Sequence, residues 1–325
     1  MAMILITGGA GYIGSHCTLE MKRAGFDCVV LDNLTEGHKE AIQTKDFCLA
    51  NLGNIDEIRK VFRNYKIDAV IHFAASCYVG ESTTNPQKYY YNNVVNTLNL
   101  LQVMVECNVK NIVFSSTCAT YGNPEYTPID ETHTQKPINV YGKTKLMIEH
   151  ILQDYDRAYG LKYMALRYFN ASGADNKANI GESHDPETHL IPLVLQVALG
   201  KRESIKVFGN DYDTPDGTCI RDYIHVNDLS SAHRLALEKL FKDKQSNFYN
   251  LGTGKGCSVN EVIRSCEEIT RKTIKAELAP RREGDPPTLF ADNKKALKEL
   301  GWQPEYTKID DIILTAWNWE KNRRY

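Results

Sequence analysis

The sequence predicts an α/β protein: a doubly wound parallel sheet followed by a smaller mixed α/β C-terminal region. Three observations carry this reading. Short apolar runs alternate with helix-period segments through the first half of the chain. The runs are apolar on both faces, as strands are when helices cover them on either side. After Asn170 the texture changes to a loop rich in Gly, Asp, Asn and His, then to short mixed elements.

Residues 3–7 form the first expected strand, and the amphipathic stretch after them closes at Gly25, a residue suited to the position just beyond a helix. Strands are expected at 28–31 and 47–49, a helix at 55–64 and a buried strand at 69–73. Helical apolar spacing runs from Pro86 to Cys107, with a strand at 111–115. A helix over 140–159 stops at Gly160, and 163–169 returns as a strand. The expected division is 1–180 against 181–325, with segments in 221–251 able to rejoin the first sheet.

Composition excludes several classes. Of 325 residues, 39 are basic and 41 acidic, too even a balance for a protein that coats nucleic acid or an anionic membrane. No apolar run reaches the roughly 18 to 20 residues that cross a bilayer. Met3 to Thr7 runs straight into glycines instead of a cleavage site, so no signal peptide is expected. The nine cysteines are odd in number and contain no Cys-x-x-Cys pair, which fits reduced thiols in the cytoplasm. His184 and His189 lack a helix-spaced ligand set, so no metal is expected.

The chemistry begins at Gly8-Gly9-Ala10-Gly11-Tyr12-Ile13-Gly14, between the first strand and first helix. Gly8, Gly11 and Gly14 permit a tight turn and close backbone approach to a pyrophosphate, while the helix N-terminus at Tyr12 and Ile13 supplies amide donors. The second strand ends in Asp32-Asn33, with Asp32 18 residues beyond Gly14. A carboxylate there accepts from a ribose diol and repels a 2′-phosphate, which favours NAD over NADP. These features make the sheet a Rossmann-type nucleotide-binding domain.

Tyr141 and Lys145 stand four residues apart at the start of a helix, on one face. A tyrosine titrates near 10, so general-base work near neutrality needs the phenolate favoured by about 4 kcal/mol. Lys145 and the positive ring of oxidised NAD are the expected sources.

Together the glycine motif, His72-Phe73-Ala74-Ala75, Ser115-Ser116-Thr117 and Tyr141-x-x-x-Lys145 resemble the extended short-chain dehydrogenase/reductases. The resemblance implies that Thr117 hydrogen-bonds the reacting sugar oxygen. Relatives that dehydrate or decarboxylate nucleotide sugars carry acids just after this hydroxyl, whereas this chain has Cys118-Ala119. Oxidation followed by re-reduction is then the expected chemistry, which is epimerisation.

The second half narrows the resemblance. Arg167 to Asn170, Phe208 to Tyr212, Arg221 to Val226 and Arg281-Arg282-Glu283-Gly284-Asp285 are similar, in order, to the UDP-glucose 4-epimerase family. That family acts on UDP-hexoses with tightly held NAD, through a transient 4-keto sugar and hydride return to its opposite face. By position, Asn170, Arg221 and Arg282 would hold the pyrophosphate, with Tyr223 nearby. Asp285 would accept from the uridine ribose and Phe208 would border the uracil. Asn33, Asn51, Leu52, Phe73, Ala74, Ala75, Asn92, Ser115 and Tyr168 would line the NAD site, and Phe169, His189, Leu190 and Leu289 the substrate site.

This chain departs from the family pattern at four places. Asn51 stands where an acid is common, Cys77 where many members have a lysine, and Thr188-His189-Leu190 where Asn-Asn-Leu is common. Leu289 falls where hexose-restricted members place a tyrosine, so UDP-GlcNAc/UDP-GalNAc interconversion is expected beside that of UDP-glucose/UDP-galactose. A homodimer through the helices at 86–107 and 140–159 is also implied. A 4,6-dehydratase, a nucleotide-sugar reductase and a non-catalytic NAD-sensing protein stay as alternatives.

Overall fold

The computed structural model describes residues 2–177, 179–282 and 285–325. Seven parallel strands form the main sheet: β1 Met3–Thr7, β2 Asp27–Asp32, β3 Asp46–Leu49, β4 Ala69–His72, β5 Asn111–Thr117, β6 Lys162–Tyr168 and β7 Asn247–Leu251. Their order is β7-β6-β5-β4-β1-β2-β3. The chain winds one way from β1 to β3 and the other way from β4 to β7. The crevice at the strands' C-terminal ends therefore opens beside β1, where such sheets bind ligands.

Alternation along each strand explains why helices cover both faces. Ile4, Ile6, Val30 and Ile71 join one buried cluster, while Leu5, Val29, Leu31 and Val70 join another on the opposite face. Residues 247–251 pair with β6 as the returning segment, and helix Val226–Asp243 packs against helix Tyr12–Arg23 and against β5 and β6. Helices Leu190–Ala198, Val259–Thr270 and Ile309–Lys321 surround a separate core that includes Val194, Leu195, Val262, Cys266 and Ile313.

Local chemistry sets the boundaries. Asn139 caps helix Val140–Tyr159 by accepting from the Gly142 amide at 2.8 Å, and Gly160 ends it with φ +66°. Gly25, φ +89°, lies just past helix Tyr12–Arg23.

One expectation fails in detail. Residues 86–107 are not a continuous α-helix: Pro86–Tyr89 and Asn96–Glu106 flank a π-helical stretch, Tyr90–Val95. Buried Asn93 in that stretch accepts from the Ser76 amide at 2.8 Å and donates to the Ser76 carbonyl at 3.0 Å and Thr144 Oγ1 at 3.1 Å. The widened turn delivers a polar side chain between β4 and helix Val140–Tyr159, as such bulges often do near functional sites. All nine cysteines are unpaired. Among the described residues no helix is long and apolar enough to cross a membrane.

Candidate active site

At the glycine turn, two glycines are demanded by the fold itself. Gly8 has φ +74°, and a Cβ there would lie 2.6 Å from the Ala74 amide nitrogen; a Cβ on Gly14 would lie 2.2 Å from the Gly8 carbonyl oxygen. Gly11 is different. Its Cβ would meet only the Gly8 oxygen at 3.4 Å, so its bareness keeps open a surface facing away from the protein, directly before helix Tyr12–Arg23. A cradle bounded by backbone at the N-terminus of a helix fits a dinucleotide pyrophosphate.

Asp32 ends β2 beside this turn, its Oδ2 accepting from the Ala10 amide at 3.0 Å and its Oδ1 from Leu34 at 2.8 Å. Burial pushes its carboxyl up, against the pull of those amides. Asn33 and Asn51 each use Oδ1 to accept from the backbone two residues on, at Thr35 and Gly53. Leu52 is buried, with its carbonyl accepting from Asn99. The Phe73 and Ala74 amides both donate to the Thr7 carbonyl, at 3.0 and 3.1 Å, and bring Ala75 up to the same crevice. Asn92 Nδ2 donates to Ser76 Oγ at 3.1 Å. Ile13 packs on the core, while the Tyr12 hydroxyl donates to the Gly173 carbonyl at 2.6 Å and ties the turn to the loop beyond β6.

Tyr141 and Lys145 project from the first turns of helix Val140–Tyr159 toward the end of β5. Lys145 is 2% exposed; its Nζ donates to the Ser115 carbonyl at 2.7 Å and lies 5.8 Å from the Tyr141 ring centre. Burial lowers Lys145 to about 8, against the opposing pull of Cys77 and Glu149. Ser115 and Tyr168 share a short hydroxyl–hydroxyl hydrogen bond. Thr117, the last residue of β5, stands by the Tyr141 phenol and favours its ionised form, while its Oγ1 accepts from the Ala119 amide at 3.2 Å.

The protein's own groups oppose the phenolate at Tyr141. Burial raises the Tyr141 phenol well above 10, with Tyr168 and Cys77 adding to it and only Thr117 opposing among the strongest influences. The Lys145 ammonium points at a carbonyl, so protein groups alone do not make a phenolate. None of those strongest influences is a carboxylate, in keeping with Cys118-Ala119 after Thr117.

One group the sequence reading passed over fixes this helix in place. Glu149, fully buried, takes a two-pronged ion pair from Arg167 on β6 at 2.7 and 2.9 Å and accepts from Ser116 Oγ on β5 at 2.5 Å.

Across the crevice, a cleft of about 670 Å³ is lined by residues 123–127, Arg281, Arg282, Asp285 and residues 286–288. The Arg282 guanidinium stacks over Phe208 at 4.0 Å. Arg221 pairs with Asp285, so two ion or stacking pairs bring four expected substrate residues, Arg282 with Phe208 and Arg221 with Asp285, to this side of the crevice. Asn170 Nδ2 donates to the Asp222 carbonyl at 3.0 Å, beside the bridge from residues 170–172 to 223–225. Phe169 sits in a small cluster with Tyr121, Ile129 and Ala291, against which Cys118 and Leu289 pack. Tyr223 is 8% exposed within the C-terminal core. His189 and Leu190 begin helix Leu190–Ala198. Glu283 and Gly284 lie outside the described residues.

Two sets of residues were not anticipated. Residues 123–127 carry no motif and reach the cleft only through the folded loop. The second set is Glu182 and Glu187, which join His184 and His189, already singled out in the sequence but without these acids, so that one ligand atom from each of the four lies within 4.8 Å of the others. The alternation of acid and imidazole over eight residues was the available signal.

A profile of the NAD dependent epimerase/dehydratase family matches residues 4–252. The chain belongs to that family. A UDP-glucose 4-epimerase of Halalkalibacterium halodurans is 53% identical over 98% of this chain and 95% of its own. The crystal structure of a UDP-glucose 4-epimerase from Brucella ovis in complex with NAD superposes with a TM-score of 0.95 at 48% identity, covering 97% of each chain. A UDP-Glc/GlcNAc 4-epimerase from Campylobacter jejuni gives 0.87 at 44% identity, covering 99% of this family member and all of that chain.

Proposed function

We propose that this family member is an NAD-dependent 4-epimerase of UDP-hexoses that interconverts UDP-glucose and UDP-galactose. The observation that carries the reading is the half-buried Tyr141 gathered with buried Lys145 and Thr117 between a pyrophosphate-type glycine turn and an arginine-lined cleft, with Cys118-Ala119 and no acid directly after Thr117. NAD, bound at the glycine turn, supplies a reversible hydride acceptor for sugar carbon 4 and a positive ring charge that favours the Tyr141 phenolate. Tyr141 takes the 4-hydroxyl proton and later returns it, with Thr117 holding the sugar oxygen. Lys145 is a buried cation for the phenolate side. Gly8, Gly11, Gly14 and Asp32 hold the dinucleotide; Arg221, Arg282 and Asn170 hold the UDP phosphates, and Asp285 turns from Arg221 to the ribose.

Strong anchoring at UDP leaves the sugar free to present either face to the hydride. Leu289, an aliphatic wall beside Phe169, leaves room for a carbon-2 N-acetyl group, so UDP-GlcNAc is the second substrate we assign. The nine unpaired thiols favour the cytoplasm as the compartment. In the deciding experiment, Tyr141→Phe lowers epimerisation by at least about a hundredfold while UDP affinity stays within severalfold. Unchanged turnover in that variant overturns the reading. Net release of a 6-deoxy-4-keto sugar identifies a dehydratase instead.

A further inference from the structure

Beside the glycine turn but outside the catalytic group, the segment 182–189 brings four side chains together, three of them turned inward and His189 partly exposed. His189 Nδ1 lies 2.9 Å from Glu182 Oε1 and 2.9 Å from Glu187 Oε1. His184 Nδ1 lies 3.3 Å from Glu182 Oε1 and 3.5 Å from Glu187 Oε2. Nitrogens and oxygens thus alternate around a small ring, each imidazole facing both carboxylates. The two carboxylates are 6% and 5% exposed and the His184 side chain 14%.

Buried carboxylates side by side repel unless a cation joins them. Two protonated imidazoles are one solution, and each would then aim an N–H at an oxygen. His189 does so, toward Glu187. His184 does not: its Nδ1 is buried without a hydrogen bond of acceptable geometry among the described residues, although two carboxylates lie within 3.5 Å. A lone pair directed between two acids, at neither, suits a shared central ion.

Ligands at about 2.0–2.2 Å around a tetrahedral ion lie roughly 3.3–3.6 Å apart. The His184 distances, 3.3 and 3.5 Å, match that spacing, the His189 distances of 2.9 Å are shorter, and one ligand atom from each of the four residues lies within 4.8 Å of the others. Two imidazole nitrogens and two carboxylate oxygens form a borderline donor set preferred by zinc-type ions over calcium or magnesium. We infer that Glu182, His184, Glu187 and His189 form a closed binding site for one divalent transition-metal ion of the zinc class.

Four protein ligands leave no open position, so the ion is structural. It staples the loop that leads into helix Leu190–Ala198 and holds it against Tyr12, whose ring stands edge-on to His184 at 6.4 Å. The 43% exposure of the His189 side chain gives the ion its entry path.

Purified full-length protein is stripped with a chelator and titrated with Zn²⁺ against a competing chelator, then with Co²⁺ under visible absorption. Expected are about one Zn²⁺ per chain at micromolar affinity or tighter, tetrahedral Co²⁺ absorption bands, and a higher melting temperature on metal addition. His184→Gln and Glu182→Gln lose the Co²⁺ bands and weaken Zn²⁺ binding at least about tenfold; His150→Gln, away from the cluster, does not. Stoichiometric binding that survives both cluster substitutions, or no binding by the intact protein, overturns the inference. Circular dichroism verifies that the variants are folded, and should His184→Gln fail to fold, Glu182→Gln alone decides.

Discussion

Lys145 sits where a free lysine would resist going: almost fully buried, one hydrogen bond to a carbonyl, and lowered to about 8. Below pH 8 the folded protein keeps a charge that burial disfavours; between about 8 and 10.4 the unfolded chain holds the proton more tightly, so this residue's destabilisation fades as pH rises. Lys145→Met is therefore expected to stabilise relative to the parent, on the order of 3 kcal/mol at neutral pH before the lost hydrogen bond is subtracted, with the advantage shrinking toward pH 10. Urea unfolding at pH 7 and pH 10 measures it. A constant difference across that range would assign the lowered pKa to another group. Leu289 is the residue for substrate range: Leu289→Tyr is expected to reduce turnover of UDP-GlcNAc relative to UDP-glucose by roughly tenfold to a hundredfold. Parent turnover of UDP-GlcNAc below about a thousandth of that of UDP-glucose would remove it from the substrate range.

Among the elements, the glycine turn separates two kinds of requirement. Gly14→Ala drives a methyl into the Gly8 carbonyl and is expected to cost stability or folding outright, whereas Gly11→Ala folds with a near-parental melting temperature yet binds NAD at least about tenfold more weakly. Thermal melts with and without NAD distinguish the two. The strands, the capped helix Val140–Tyr159 and this turn were legible because each is written in neighbouring residues: apolar runs, Asn139 at the start, Gly160 at the end. The π-helical stretch was not, because apolar spacing at 3.6 residues cannot announce a turn widened to seat Asn93 against Ser76 and Thr144. The Glu149–Arg167 pair, the Arg221–Asp285 pair and the walls of the cleft were hidden for another reason. Arg221 and Asp285 are 64 positions apart, and even Glu149 and Arg167, 18 apart, lie on different elements; local pattern is silent on which elements meet. How far burial opposes ionisation of Tyr141 was hidden too, because spacing shows which groups are near but not how much water they lose.

For the whole molecule, the exposed face formed by Tyr91, Val95 and Leu98, with Met147 on the adjoining helix, is the surface through which we expect two copies to pair. Leu98→Glu is expected to shift sedimentation from dimer to monomer while leaving NAD binding in place; a parent chain that already sediments as a monomer would rule the pairing out. The sheet itself has a history that the finished molecule conceals. β6 finds its outer neighbour only in β7, with Tyr163 meeting Ser246 across 83 positions. At the usual pace of translation, about 5–20 residues per second, the ribosome leaves that rim of the half-made domain unpaired for roughly 4 to 17 seconds. A bare strand edge of that duration invites neighbouring nascent chains to add themselves. Slow codons between these two strands should therefore lower the soluble yield, even though the mature protein is unchanged.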